Sequence, residues 1–227
     1  MLLIFPGRHP AFPPTDQLPP GRGEVGLVAL GGDLSEATLL EAYSKGLFPW
    51  EGRHPLPWCS PDPRAILIPG EFRASRSLKK LARQGRYAIT FNTAFTAVMK
   101  ACASIARPGQ SGTWITPRMI KAYTRLHRMG VAQSVEVWPA DEVGRTLVGG
   151  LYGIRMGQAF FGESMFARAP NVSKLALQAW CARLDSEGVQ LIDCQQDTDH
   201  LRSLGSMTIS RQAFIERIRA AGVVERH

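Results

Sequence analysis

The chain contains no apolar run approaching the eighteen residues that a membrane-crossing helix needs, and its opening MLLIF is cut off by Pro6 without a basic leader. A soluble, unexported protein is expected. Its four cysteines, Cys59, Cys102, Cys181 and Cys194, stand far apart with no CxxC pair, and its five histidines are scattered. Neither a disulfide framework nor a zinc or other metal site is indicated, which favours a reducing, cytoplasmic setting. Familiar catalytic signatures are missing too, since there is no GxxxxGK[ST] loop, no GxSxG elbow and no HExxH helix, and no dinucleotide-binding turn is read. Acidic residues are in short supply. Only 19 Asp and Glu stand against 27 Lys and Arg, giving a net charge of +8 and a pI near 9.7. A surplus of that size suits a polyanionic partner.

What is present is enough for a sizeable core: 227 residues, 44% of them hydrophobic, fit one large domain or a domain with a small companion. The first sixty residues are rich in proline and glycine and show one clear helix, capped by Ser35, faced by Leu39, Leu40 and Tyr43, and stopped at Gly46. The segments around Trp50 and Trp58 read as extended loops. A boundary near residues 62–64 divides a small N-terminal domain, 1–63, from a larger one, 64–227. The larger one opens with a helix after Ser75 on which Arg76, Lys79, Lys80 and Arg83 share one face with no acid among them. That face favours a phosphate backbone over plain solvation.

Further on, a strand at 87–91 precedes a helix that Asn92 is expected to cap, and 106–112 reads as a loop. Thr116-Pro117 starts a helix carrying Ile120, Tyr123 and Leu126 inward and Arg118, Lys121, Arg125 and Arg128 outward. A strand at 134–138 leads into two more, 147–155 and 158–165, joined at Met156-Gly157. Ser173 then caps a helix that Gly188 stops, 189–194 is a buried strand, and a last helix begins after Ser210. The pattern is a mixed α+β layer fold of a kind shared by acetyltransferase-like domains, which leaves function open.

Two features suggest a site. Glu163 stands inside the apolar run FFGESMF, where an ionised carboxylate is costly unless something pairs with it. The buried strand ends abruptly in Asp193, Cys194 and Gln195, and Asp193 and Gln195 point to one side if the strand continues.

Ten short blocks carry a resemblance, in this order: GGDLS (31–35), GLFPW (46–50), WCSPDPR (58–64), SRSLKK (75–80), TWI (113–115), SVEVW (134–138), GGLYG (149–153), FFGESMFAR (160–168), SKLAL (173–177) and LIDCQ (191–195). Together the sequence closely resembles the bacterial leucyl/phenylalanyl-tRNA-protein transferases over about residues 30–206. The resemblance implies a small N-terminal domain and an acetyltransferase-like (GNAT-like) C-terminal domain. It implies transfer of Leu or Phe, with Met as a further option, from aminoacyl-tRNA to a protein with N-terminal Arg or Lys, creating a degradation signal, with no separate cofactor and no membrane. By resemblance, Gln195 lies nearest the attacking amine with Asp193 polarising it, and Trp114, Leu151, Phe160, Met165, Leu177, Trp180, Leu184 and Ile192 line an apolar cavity. Leu177 and Leu184 suit an ordinary core equally well. Glu163 would receive the aminoacyl α-amino group, and Trp50 would stack on the terminal adenosine. Ala167 stands at a pocket position where the family commonly has Ser. A coenzyme A-dependent N-acetyltransferase and a non-catalytic RNA-binding protein are the alternatives from other classes.

Overall fold

The computed structural model describes residues 2–5, 7, 12–13, 18–19, 21–23, 25–50, 55–105, 113–224. The loop expected at 106–112 lies outside the described residues.

The proline-rich N-terminal part holds more regular structure than its sequence suggests. Strands β1 (Leu3–Phe5), β2 (Leu27–Gly31), β3 (Phe48–Pro49) and β4 (Pro57–Cys59) form a sheet in the order β1-β2-β4-β3. The segments around Trp50 and Trp58 expected as loops therefore contribute two of its strands. They are too short to show a period, and their pairing is supplied by distant partners: β1 runs parallel to β2, while β2 and β3 both flank β4 antiparallel. Helix α1 (Glu36–Ser44) is as expected, with the Ser35 hydroxyl accepting from the Thr38 N–H. Gly21, Gly23 and Gly26 do carry GxGxxG spacing, but Arg22 bridges Leu27 and the chain runs into β2, not into a helix. The strand-to-helix setting of a dinucleotide site is missing.

The remaining strands are β5 (Arg64–Leu67), β6 (Tyr87–Phe91), β7 (Ala132–Pro139), β8 (Gly149–Met156), β9 (Ala159–Ala167), β10 (Leu191–Gln195) and β11 (Met207–Ile209). They make one sheet in the order β11-β5-β10-β9-β8-β7-β6, antiparallel throughout except for the central β9–β10 pair. Side chains alternate across it as strand geometry requires. Val135, Val137, Leu151, Phe160, Ile192 and Leu67 face one apolar cluster, together with residues of α2 (Arg76–Arg83) and α5 (Val172–Ser186). Tyr152, Ile154, Phe161, Phe166 and Ile66 face the other, with α1, α3 (Phe95–Ser104), α4 (Pro117–Arg128) and α7 (Arg211–Ala220). A short α6 (Asp199–Ser203) follows β10. The mixed α+β layering expected from the sequence is the architecture observed.

Helix starts divide into those set by the adjacent residue and those set from afar. Ser75, Thr116 and Ser210 cap their helices as read from sequence. Asn92 does not. It sits at φ 61° and accepts the Ser134 N–H, while the α3 start is covered by Glu136 of β7, which accepts from the Thr93 and Ala94 N–H groups. Ser173 lies inside α5, whose preceding residue Asn171 is left-handed at φ 65°. In α4, Met119 is buried where Ile120 is only half-buried, and Arg125 is tied to Glu36 of α1.

Candidate functional site

The site arises where the one parallel strand pair comes apart. Residues Leu191–Asp193 register against Ala159–Phe161, but beyond that β9 stays bound to β8 as far as Ala167 while β10 bulges against β5 between Asp193 and Gln195. Gln195 takes a left-handed conformation, φ 58°, that turns the chain away. The wedge left between the carboxyl ends of β9 and β10 is a cavity of about 340 Å3, within the range of small-molecule sites.

Apolar side chains make most of its wall: Leu151 of β8, Phe160 and Met165 of β9, Ile192 of β10 and Leu177 of α5. Trp114 closes one side with Phe48, Pro49 and Trp50 of the N-terminal sheet region, and the two indoles lie 6.0 Å apart at 38°. Gln196, Thr198, His200 and Leu201, after β10, close the other.

At the cavity's polar end Asp193 is fully buried and accepts a forked pair of hydrogen bonds from Arg64, Nε to Oδ1 and Nη2 to Oδ2, both at 2.7 Å. The pairing follows from register: Asp193 lies opposite Ile66, and Arg64, two residues along β5, shares its face. Arg64 is itself fully buried, donates to the Gly46 carbonyl at 3.1 Å, and lies between the rings of Phe48 and Phe214, 5.0 and 4.4 Å from their centroids. Such a pair survives burial only with its geometry and remaining hydrogen bonds complete.

Asp193 also holds Gln195, whose backbone N–H donates to Oδ1 at 3.0 Å and whose Nε2 donates to Oδ2 at 3.4 Å. The strand does not continue past Asp193, so the common orientation of these two residues comes from the kink and not from strand period. With its nitrogen committed to Asp193, the Gln195 amide has its oxygen left to accept a proton-bearing nitrogen. Cys194, between them, is no nucleophile: burial first, then the nearby Asp193 charge, pushes its thiol well above the ordinary range.

Glu163 lines the cavity from β9 and is half-buried. The cation expected beside it is not among its partners within the described residues. Two phenols take that place: Tyr43 of α1 donates to Oε1 at 2.5 Å and Tyr123 of α4 donates to Oε2 at 3.4 Å. Burial pushes its carboxyl up to about 8, against the Tyr43 hydrogen bond, with Asp193 adding repulsion and Tyr123 and Arg64 opposing it.

Of the residues named from sequence, Trp50, Trp114, Leu151, Phe160, Glu163, Met165, Leu177, Ile192, Asp193 and Gln195 come together around this one cavity. Three do not. Trp180 is 1% exposed and packs as core against Phe91 and Phe160, with ring centroids 5.8 and 5.1 Å away. Leu184, one turn further along α5, is fully buried in the same cluster. Ala167, the last residue of β9, is exposed opposite Gly149 and is not part of the cavity lining. Arg76, Lys79, Lys80 and Arg83 are all exposed and line one shallow depression on α2. Sequence reasoning missed Arg64, Tyr43 and Tyr123 as members of the site. The apolar run Ala65-Ile66-Leu67-Ile68 directly after Arg64 was the signal that could have found the first, because a guanidinium carried into a buried strand requires a carboxylate.

Comparison with known proteins identifies the family of the chain. The sequence profile described as leucyl/phenylalanyl-tRNA protein transferase matches residues 66–219, and the profile of its N-terminal domain matches residues 32–62. A protein of Pseudomonas fluorescens named leucyl/phenylalanyl-tRNA–protein transferase is 53% identical over 90% of this chain and 88% of its own. One of the same name from Solidesulfovibrio magneticus is 47% identical over 94% of this chain and 83% of its own. Among solved structures, a GCN5-related N-acetyltransferase from Kribbella flavida aligns with 74% of this chain and 58% of its own at 13% identity and a TM-score of 0.38, too distant to bear on the function. With half-identical relatives spanning nearly its whole length, the chain belongs to the leucyl/phenylalanyl-tRNA–protein transferase family of enzymes.

Proposed function

We propose that this chain moves a leucyl or phenylalanyl group from aminoacyl-tRNA onto the α-amino group of a protein that begins with Arg or Lys. The observation that carries the reading is the juxtaposition of an apolar cavity with the Arg64–Asp193–Gln195 hydrogen-bond chain at its polar end. The reaction is aminolysis of an ester. The amine nitrogen bonds to the aminoacyl carbonyl carbon, the bond to the ribose oxygen breaks, and a proton lost by the nitrogen ends on that oxygen. An α-amino group, with a reference pKa of about 7.7 to 8.0, is partly neutral near pH 7, so a strong base is not required. Holding two reactants in line lowers a barrier by up to about 7 to 11 kcal/mol. Gln195 serves that purpose by accepting a hydrogen from the amine while Asp193, itself fixed by Arg64, keeps the amide from turning.

The apolar wall would take the leucyl or phenylalanyl side chain, Trp50 the terminal adenosine by stacking, and the basic face of α2 the acceptor-stem phosphates. The division at 63/64, the acetyltransferase-like character of the larger domain, action as a cytoplasmic monomer, and a product marked for degradation complete the reading. A protein that only held RNA would have no use for a buried ion pair chained to a half-buried amide at a cavity rim.

Labelled leucyl- or phenylalanyl-tRNA, mixed with peptides beginning Arg, Lys or Ala, should label the first two and spare the third. Gln195→Ala should slow turnover about a hundredfold or more with aminoacyl-tRNA affinity nearly intact. No transfer by the wild type would refute the activity, and a near-normal rate for the variant would remove Gln195 from the reaction.

A further inference from the structure

Glu163 takes no part in the Arg64–Asp193–Gln195 chain, yet it is held as carefully. Its two oxygens receive hydroxyls from separate parts of the molecule, Tyr43 of α1 and Tyr123 of α4, and those hydroxyls are themselves 2.5 Å apart. Both phenols are fully buried. Each hydroxyl has one proton. Tyr43 gives its proton to Glu163, and Tyr123 divides its one proton between the near Tyr43 oxygen and the longer contact to Oε2, so both are directed towards the carboxylate, which keeps its other lone pairs for a donor in the cavity. The charged and titratable groups around it are Arg64 of β5 and Asp193 of β10, bound to each other, the two tyrosines, Tyr152 of β8 behind Tyr123, and Cys194 and His200 on the lining of the same cavity. Among the described residues none supplies Glu163 with an ion pair.

We propose that Tyr43 and Tyr123 are positioning residues that aim Glu163 at the free α-ammonium of the bound aminoacyl group, so that the cavity refuses aminoacyl-tRNA whose nitrogen is acylated. The proposal rests on the aminoacyl-tRNA reading above. An acylated nitrogen has lost its charge and all but one of its hydrogens, and would leave a half-buried carboxyl facing a poor partner. Sites built to bond a polar group reject analogues lacking it far more strongly than apolar pockets discriminate size.

Proton linkage provides a readout that packing alone does not. Below about pH 7.7 the free α-amino group is protonated, and so is Glu163, whose carboxyl burial pushes up to about 8. The bound pair keeps one proton, so association releases the other and affinity rises towards tenfold per pH unit. Above pH 8 both partners have lost their protons and one must be taken up, so affinity falls again.

The test is binding of leucyl-tRNA and N-acetyl-leucyl-tRNA from pH 6 to 9 by the wild type, Tyr43→Phe, Tyr123→Phe and Glu163→Gln. The wild type should prefer the free amine at least a hundredfold, with maximal affinity near pH 8. Glu163→Gln should lose both the preference and the maximum. Tyr43→Phe, lacking a bond that favours the charged carboxylate, should move the maximum to higher pH and shrink the preference, with Tyr123→Phe doing so less. Binding of the N-acetylated tRNA, which shares the cavity and the stem but not the ammonium, should fall in none of the variants and should rise in Glu163→Gln, where the unpartnered carboxyl is gone, which separates lost aim from lost fold. Tyrosine variants that keep the wild-type preference and pH profile, or that weaken both tRNAs equally, would overturn the proposal. So would a wild type that transfers leucine yet ignores acetylation, whereas one that does not bind leucyl-tRNA would overturn the activity as well.

Discussion

Replacing Arg64 by Met should destabilise the fold more than any change on the cavity wall, because it removes one half of a fully buried ion pair. Arg64 and Asp193 both have side chains 0% exposed, and their fork of 2.7 Å bonds is the means by which each charge tolerates burial. Taking away the guanidinium leaves a carboxylate with only the Gln195 amides as donors among the partners described above, and frees the Gly46 carbonyl and the faces of Phe48 and Phe214. Breaking a pair of this kind costs about 3 to 5 kcal/mol, which in a chain this size lowers the melting temperature by about 6 to 20 °C. Removing both charges, in Arg64→Met with Asp193→Leu, should recover most of that loss, since an apolar pair of similar volume is about as stable as a buried ion pair. The double variant should nevertheless stay as inactive as Asp193→Leu alone, because Gln195 has lost its anchor. Thermal and urea unfolding of the single and double variants gives the coupling directly. If Arg64→Met melts within a degree or two of the wild type, or the double variant is no more stable than either single one, the pair does not hold this site together.

Two further outcomes test the cavity and the basic face. Met165→Phe or Leu151→Phe should weaken use of phenylalanyl-tRNA more than leucyl-tRNA, by about 1 to 3 kcal/mol in kcat/KM, whereas equal loss would mark both side chains as core. Lys79→Ala with Lys80→Ala should raise the Michaelis constant for aminoacyl-tRNA and flatten its salt dependence by about 1.4 to 1.8 in the log–log slope, at 0.7 to 0.9 per phosphate contact. An aminoacyl-adenosine, which lacks a stem, should be used as before, and loss of both substrates or of neither would return that face to ordinary solvation.

Local signals were legible wherever a single residue type meets a local need. Ser35, Ser75, Thr116 and Ser210 each cap the helix that their sequence announces, because the bond runs only three residues along the chain. The same reasoning failed at Asn92 for a physical cause. The α3 start was already served by Glu136, some forty residues away and brought there by β6–β7 pairing, so Asn92 was free to turn left-handed and bind Ser134. The four-stranded N-terminal sheet was illegible for the same reason, since strands of two to five residues, two of them containing proline, have no period of their own.

The site shows the same division more sharply. Its apolar wall was named through the family resemblance, from the blocks between Leu151 and Ile192 with Trp114 from a block of its own. The acids at its polar end, Glu163 and Asp193, were named as well, but their partners were not, because each comes from far away: Arg64 lies 129 positions before Asp193 and Tyr43 lies 120 positions before Glu163. Both of those partners lie against the N-terminal part, Tyr43 on α1 and Arg64 bonded to the Gly46 carbonyl just after it. The small N-terminal part is therefore more than a cover carrying Trp50. By holding Glu163 through Tyr43 and bracing Arg64 through the Gly46 carbonyl, it fixes where charge is accepted in a cavity that it also helps to enclose.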